Sequence, residues 1–218
     1  LIEQENPLQL IVTTHNSFIA NRLDLTNLIV ISNSNGQISV TTLNNSENKN
    51  LYNYFAKTGD YPTLRLVLCN RAILVEGPSD EMIVQYALNQ QGKTLFEDGT
   101  ELIVVGGTRF KNFIQLAKDL QKPIVIITDN DNNSPTEVKA KYDIDYDKMN
   151  VYSQDEGFRT LEPAFVEANI NNLDKLAEIC DFKKGVDKNS LIKYISADNR
   201  KTMWALNVLM CDDYKFNV

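Results

Sequence analysis

ILVEGPSDEMIVQYAL, residues 73–88, reads as a strand that breaks directly into a helix. The run AILV at 72–75 is short, apolar and β-branched, the pattern of a strand buried on both faces. It ends on Glu76 and Gly77. Pro78 then suits the first position of a helix, where its missing N–H costs nothing. That helix is expected to run to Gln91.

The alternation continues downstream. Residues 102–105 (LIVV) read as a strand, followed by Gly106-Gly107. Residues 109–120 form an amphipathic helix, with Phe110, Phe113, Ile114, Leu116 and Ala117 on one side. PIVIIT at 123–128 is a third strand, and MNVY at 149–152 a weaker fourth. Strands alternating with helices predict an α/β fold, a parallel sheet covered by helices on both faces. Residues 173–210 read as helices only. Upstream, QLIVT at 9–13 reads as a buried strand leading into Thr14-His15-Asn16-Ser17. Residues 28–31 and 38–43 read as short strands split by the turn Asn33-Ser34-Asn35-Gly36. A polar loop at 44–50 precedes helical segments at 51–57 and 63–70.

Three of these strands end in something notable: Glu76 followed by Gly77-Pro78-Ser79-Asp80, Gly106-Gly107, and Asp129-Asn130-Asp131. In an open parallel sheet, ligands bind beyond the carboxyl ends of the strands, so Glu76, Asp129 and Asp131 are expected to converge there. Asp80 lies in the first helical turn and can face the same crevice. Four carboxylates at one sheet edge repel one another unless a cation sits among them. An all-oxygen set suits Mg²⁺ or Mn²⁺. Each piece also has a plainer reading. Asp80 could simply complement a helix N-terminus, residues 129–133 could be only a polar turn, and Gly106-Gly107 could be a tight turn or a place where backbone approaches the site. Glu76 is harder to set aside, because a carboxylate directly after a buried strand needs a partner.

The joint pattern resembles a known domain. ILVEGPSDEMIVQYAL is similar to the glutamate motif of Toprim domains, and IVIITDND at 124–131 to their paired-aspartate motif. Residues 10–31, LIVTTHNSFIANRLDLTNLIVI, resemble the end of an ABC-type ATPase domain. An ATPase ending that runs into a Toprim domain is the layout of the OLD (overcoming lysogenization defect) nucleases. The resemblance divides the chain into an ATPase tail at 1–43, linker helices at 44–70, a Toprim domain at 71–170 and a helical C-terminal part at 171–218. It implies that Glu76 is a metal ligand or general base, and that Asp80, Asp129, Asp131 and Glu162 complete the ligand set. It further implies that Lys201, with Arg200 as an adjacent rival, offsets charge on the phosphate, and that His15 senses the ATP γ-phosphate. Pro163, taken as the first helical residue, would make Glu162 an N-cap. Plainer readings are a helix-end acid for Glu162, a solvated lysine for Lys201 and a strand-end histidine for His15.

The activity so implied is DNA cleavage by a two-metal mechanism, with two Mg²⁺ or Mn²⁺ ions. ATP is expected to act only in a longer protein, because no GxxxxGK[ST] is present. The opening LIEQENPLQLIVTTH enters straight into a strand pattern, as expected of a chain cut from a longer one. The expected partners are DNA, a second copy joined through the ATPase region and a helicase-like accessory protein. Alternatives are another Toprim enzyme of topoisomerase or primase type, a phosphatase of the haloacid dehalogenase type, and a regulatory or dimerisation module of the ATPase. Against the phosphatase, Asn132 follows the DxD and a glutamate strand precedes it.

The bulk numbers set bounds. With 43% hydrophobic residues in 218, the chain can bury a sizeable core. No apolar run approaches a membrane span. Three cysteines without metal-ligand spacing read as reduced thiols in a cytoplasmic protein. A net charge of −7 counts against phosphate binding, unless bound cations reverse the local sign.

Overall fold

The computed structural model describes residues 9–16, 27–34, 36–42, 55, 61–95, 99–142, 145–183 and 185–218. Strands β1 (Ile29–Ser34) and β2 (Gln37–Thr42) form an antiparallel hairpin, Ile29 opposite Thr42 and Ser34 opposite Gln37. At its turn the Gly36 N–H donates to Asn33 Oδ1 at 3.0 Å, and Gly36 takes φ +82°, a conformation that favours glycine. Leu28 and Val30 pack on the main core, while Ile29, Ile31, Ile38 and Val40 are exposed.

The segment at 9–13 departs from its expected buried strand. It has no regular structure, and Leu10 and Ile11 are each 79% exposed. A buried strand needs ladder partners for its N–H and C=O groups, and among the described residues no strand pairs with it. The polar loop at 44–50 lies outside the described residues, as does the helix expected at 51–57 except for Phe55. That ring is buried edge-on to Phe113, 5.6 Å between centroids.

After helix α1 (Tyr61–Leu68), the main sheet contains β3 (Arg71–Val75), β4 (Thr100–Val104), β5 (Ile124–Ile127) and β6 (Met149–Tyr152), all parallel, in the order β4-β3-β5-β6. The connection from β3 to β4 steps one way. Those from β4 to β5 and from β5 to β6 step the other. Right-handed crossovers therefore send their helices to opposite faces. Helix α2 (Pro78–Gln90) lies against β3 and β4 on one face. Helices α1, α3 (Phe110–Asp119) and α4 (Pro135–Lys141) cover the other, over Ala72, Leu74, Ile103, Ile124 and Ile126. The five apolar residues expected on one side of α3 are all buried there. The sequence reading passes over α4, whose start carries a reciprocal Ser134–Glu137 capping box with Pro135 at the first position.

Helices thus flank both faces, but among the described residues cover on the α2 side stops short of β6. Met149 and Val151 pack on the main core; Asn150 and Tyr152 point the other way and are exposed, Tyr152 by 60%. The chain ends in α5 (Leu161–Ala168), α6 (Leu173–Ile179), α7 (Lys188–Ile195) and α8 (Lys201–Leu209). They bury a second core of Phe165, Leu176, Leu191, Trp204 and Phe216 against Ile83 and Tyr86 of α2. Helix α2 is therefore shared between the sheet and the second core. Among the described residues no helix is long and apolar enough to cross a membrane.

Replacing Phe113 with alanine is expected to cost about 3–5 kcal/mol of stability. Urea unfolding followed by circular dichroism and by fluorescence of Trp204, the sole tryptophan, should report the same loss, because α2 joins the two cores. Two separate midpoints would show that the cores unfold independently.

Candidate functional site

The chain direction reverses between β3 and β5, so the crevice at their carboxyl ends is the topological switch point of the sheet. Glu76 follows β3 there. Its carbonyl accepts the Gly106 N–H at 3.1 Å, which ties the glycine turn to the glutamate. Gly106 has φ +71°, and a Cβ on it would stand 3.3 Å from Arg109 Nη2, so a side chain would be both strained and crowded. Gly107 (φ +51°) opens a 3₁₀ turn into α3. Asp80 sits in the first turn of α2, and its Oδ2 accepts the Gly77 N–H at 2.8 Å.

Asp129 follows β5. Its Oδ1 accepts two hydrogen bonds, from Gln154 Nε2 at 2.8 Å and from the Leu161 N–H at 3.1 Å. The second comes from the first turn of α5. That helix starts earlier than Pro163 suggests: Thr160 is the N-cap and Glu162 lies inside the first turn. Proline is tolerated at the third helical position because the first N–H groups of a helix have no intrahelical acceptor. Glu162 is 4% exposed. Its Oε2 accepts from Thr160 Oγ1 at 2.8 Å, and its Oε1 lies 3.8 Å from Lys201 Nζ. Lys201 opens α8, and its carbonyl accepts from Ser79 Oγ at 3.0 Å, which pins α8 to the start of α2. Arg200 instead holds its guanidinium 4.9 Å over the Tyr194 ring.

Asp131 stands apart from this group. It is exposed, in a left-handed conformation (φ +53°), with its carboxylate 3.8 Å from Lys141 Nζ. His15 is exposed on the irregular segment at 9–16. The Cys69 and Cys180 thiols are pushed up by burial to about 11 and about 12, so neither is a ready nucleophile.

Like charge marks the crevice. Burial raises the Asp80 carboxyl from 3.8 to about 7, assisted by the charges of Asp129, Glu76 and Glu162 and opposed by the Gly77 hydrogen bond. Burial likewise raises Asp129 to about 6; the Gln154 and Leu161 hydrogen bonds oppose the shift, and Glu76 and Glu162 add to it. Among the described residues no three carboxylates, thiols or imidazoles close tightly enough to enclose an ion. In kind, however, the set fits a hard divalent cation. For Asp80, Asp129 and Glu162 the orienting hydrogen bonds fall on one oxygen of each carboxylate, which leaves the other for a ligand.

Several positioning residues escape the sequence reading. Gln154 lies two residues past β6, at the same sheet edge as the acids, and its amide oxygen accepts the Asn130 N–H at 3.1 Å. Asn130, 1% exposed, donates to the carbonyls of Gln154 and Asp155 and accepts the Asn132 N–H. The middle residue of Asp-Asn-Asp is thus a brace. The rule that points to strand ends would have found Gln154 had it been applied to the weak fourth strand. Nothing in local pattern marks Ser79 as the tether of α8.

Part of the chain is similar to known proteins. Residues 67–131 match the family described as overcoming lysogenization defect protein-like, TOPRIM domain. Over 144 residues the chain is 26% identical to endonuclease GajA of Bacillus cereus (strain VD045), a match that covers 66% of this chain and 25% of that protein. The chain thus spans about a quarter of the length of this curated relative. The C-terminal region of the Burkholderia pseudomallei OLD protein shares the fold, with a TM-score of 0.50 at 17% identity over 65% of this chain and 87% of that one. The corresponding region of the Xanthomonas campestris pv. campestris OLD protein superposes with a TM-score of 0.48 at 19% identity, over 65% and 84%.

A pH dependence follows from the crowded acids. The folded-state value of Asp80 lies above its ordinary one, so its proton stabilises the fold. That contribution is complete below about pH 4 and is lost as pH rises through 7. Asp80→Asn keeps an acceptor for Gly77 and removes the charge. In EDTA the variant should melt above wild type at pH 8, and the two curves should converge toward pH 4. A variant no more stable than wild type at pH 8 would contradict the charge crowding.

Proposed function

We propose that this chain, which carries an OLD-like Toprim domain at residues 67–131, hydrolyses phosphodiester bonds of DNA with the help of divalent metal. One observation carries the reading: at the switch point of the sheet Asp80 and Asp129 both feel the charges of Glu76 and Glu162, with the Lys201 ammonium 3.8 Å from Glu162 Oε1. GajA's designation as an endonuclease supports the same reaction class.

Glu76, Asp80, Asp129 and Glu162 would hold Mg²⁺ or Mn²⁺, with Asp131 available if its turn brings the carboxylate inward. A metal held there would supply Lewis-acid chemistry, lowering the pKa of a bound water and offsetting charge on phosphate oxygens. The protein's own part is to keep the acceptors aimed. Gln154 and the Leu161 amide fix one oxygen of Asp129, Gly77 fixes Asp80, and Thr160 fixes Glu162. A protonated Lys201 cannot ligate metal, but it can sit against the scissile phosphate and offset the charge that grows in the transition state. Arg200 is turned away by its stacking on Tyr194. ATP coupling through His15, a homodimer, a helicase-like partner and a cytoplasmic setting extend this reading to a protein of GajA's length.

The test is nicking of supercoiled plasmid with Mg²⁺ or Mn²⁺, which EDTA should stop. Glu76→Ala and Asp129→Ala should each abolish cutting. Lys201→Ala should lose about 10²–10³ in rate yet still bind Mn²⁺ by calorimetry, and Arg200→Ala should cut near the wild-type rate. Wild-type cutting by Glu76→Ala or Asp129→Ala would remove the site from this crevice.

A further inference from the structure

Glu162 is claimed from two sides. Its carboxylate is buried in the first turn of α5, and a buried charge needs a partner. The two oxygens divide the task. Oε2 accepts from Thr160 Oγ1 at 2.8 Å, whereas Oε1 stands 3.8 Å from Lys201 Nζ. The same carboxylate also acts on the crevice, since its charge reaches both Asp80 and Asp129. With Oε2 held by Thr160, a divalent cation shared with those acids would meet Oε1, the oxygen that Lys201 already attends.

Lys201 has a fixed part and a movable part. Its N–H donates to the Ala197 carbonyl at 3.0 Å, and its carbonyl accepts from Ser79 Oγ at 3.0 Å, so the backbone is held from both sides. Its side chain is 44% exposed, against 5% for that of Glu162. An ammonium on a flexible four-carbon stem can leave such a carboxylate at small cost. Glu162, within a helix and bonded to Thr160, cannot follow. Once a dication offsets the carboxylate's charge, the attraction on the ammonium gives way to repulsion.

We propose that Lys201 has two partners in succession: Glu162 in the absence of metal, and a phosphate oxygen once a divalent cation has taken Glu162. Only the second partner rests on the phosphodiester reading. The lysine is first a counter-ion that stabilises the crowded crevice and then a phosphate ligand, so metal binds before the strand. Coupling of this kind is reciprocal, and a bound phosphate tightens the metal in return.

The experiment compares the full chain with its Lys201→Met variant, which keeps the apolar stem and removes the charge. In EDTA at pH 8 the variant should melt about 2–4 °C below wild type. In saturating Mn²⁺ that difference should vanish. Calorimetry should show the reason, Mn²⁺ binding about fivefold tighter in the variant, since a ligand bound more tightly to the folded state restores stability. In a Glu162→Gln background, Lys201→Met should leave melting in EDTA unchanged, which separates the ion pair from packing of the stem. An equal loss with and without Mn²⁺, no loss in EDTA, or an unchanged Mn²⁺ affinity would each overturn the exchange. Anisotropy of a fluorescein-labelled oligothymidylate reads the second partner. Ca²⁺, which takes the same oxygen ligands, should strengthen strand binding by wild type at least about fivefold more than by Lys201→Met; an equal gain overturns the succession. Melting and calorimetry involve no turnover. If they behave as expected while plasmid is not nicked, the nuclease reading fails and the exchange at Glu162 stands. Nicking together with an equal loss in both conditions sinks the exchange alone.

Discussion

One oxygen of Asp129 accepts from both Gln154 Nε2 and the Leu161 N–H, and the rest of the site hangs on that pair of bonds. The first donor stands just past the end of β6, the second in the opening turn of α5. A single carboxylate therefore ties the third strand of the sheet to its edge strand and to the helical part of the chain. The α5 tie also places Glu162, which would otherwise have no reason to lie near β3 and β5. An anion at a helix N-terminus gains from the unpaired N–H groups and the dipole there. Asp129 thus gains stabilisation on one oxygen while it bears repulsion from its neighbours.

That balance explains why so much of the surroundings is bracing. Asn130 is buried between the Asp129 turn and the loop at 153–160, with its amide groups hydrogen-bonded to both. Ser79 binds the start of α8 to the start of α2. The residues near the chain's end reinforce α2 and α5 from the far side: the Phe216 N–H donates to Tyr86 Oη, and Asn169 and Asn217 exchange hydrogen bonds. Acids that repel one another stay together because the elements that carry them are fastened elsewhere.

The sheet was legible in the sequence because its strands are short apolar runs bounded by turn residues and its main helices carry one apolar side. Glu76, Asp80 and Asp129 were legible for the same reason: they sit at strand ends or one turn beyond, where local pattern and topology coincide. Glu162 was found by resemblance, but its helix position was misread, because Pro163 is equally at home at the first or third helical place. Asp131 illustrates the opposite limit. Spacing alone puts it with Asp129, whereas two consecutive left-handed residues, Asp131 and Asn132, turn it toward Lys141. The strand expected at 9–13 failed because apolar composition says that a segment wants burial, not that a neighbour is there to bury it. Gln154 and Ser79 act across large sequence separations, which no periodicity encodes.

The left-handed turn after Asp129 also bears on which sequences can occupy it. Positions 131 and 132, at φ +53° and +68°, admit Asn, Asp and Gly at low cost and penalise β-branched residues heavily. At position 131 the backbone shape by itself therefore favours aspartate, asparagine or glycine, whatever chemistry the side chain carries. Shape and charge come apart under different replacements: asparagine preserves the turn and removes the charge, whereas valine destroys both. The fold constrains backbone conformation here first, and the effect of charge can be read only between residues that share the same backbone.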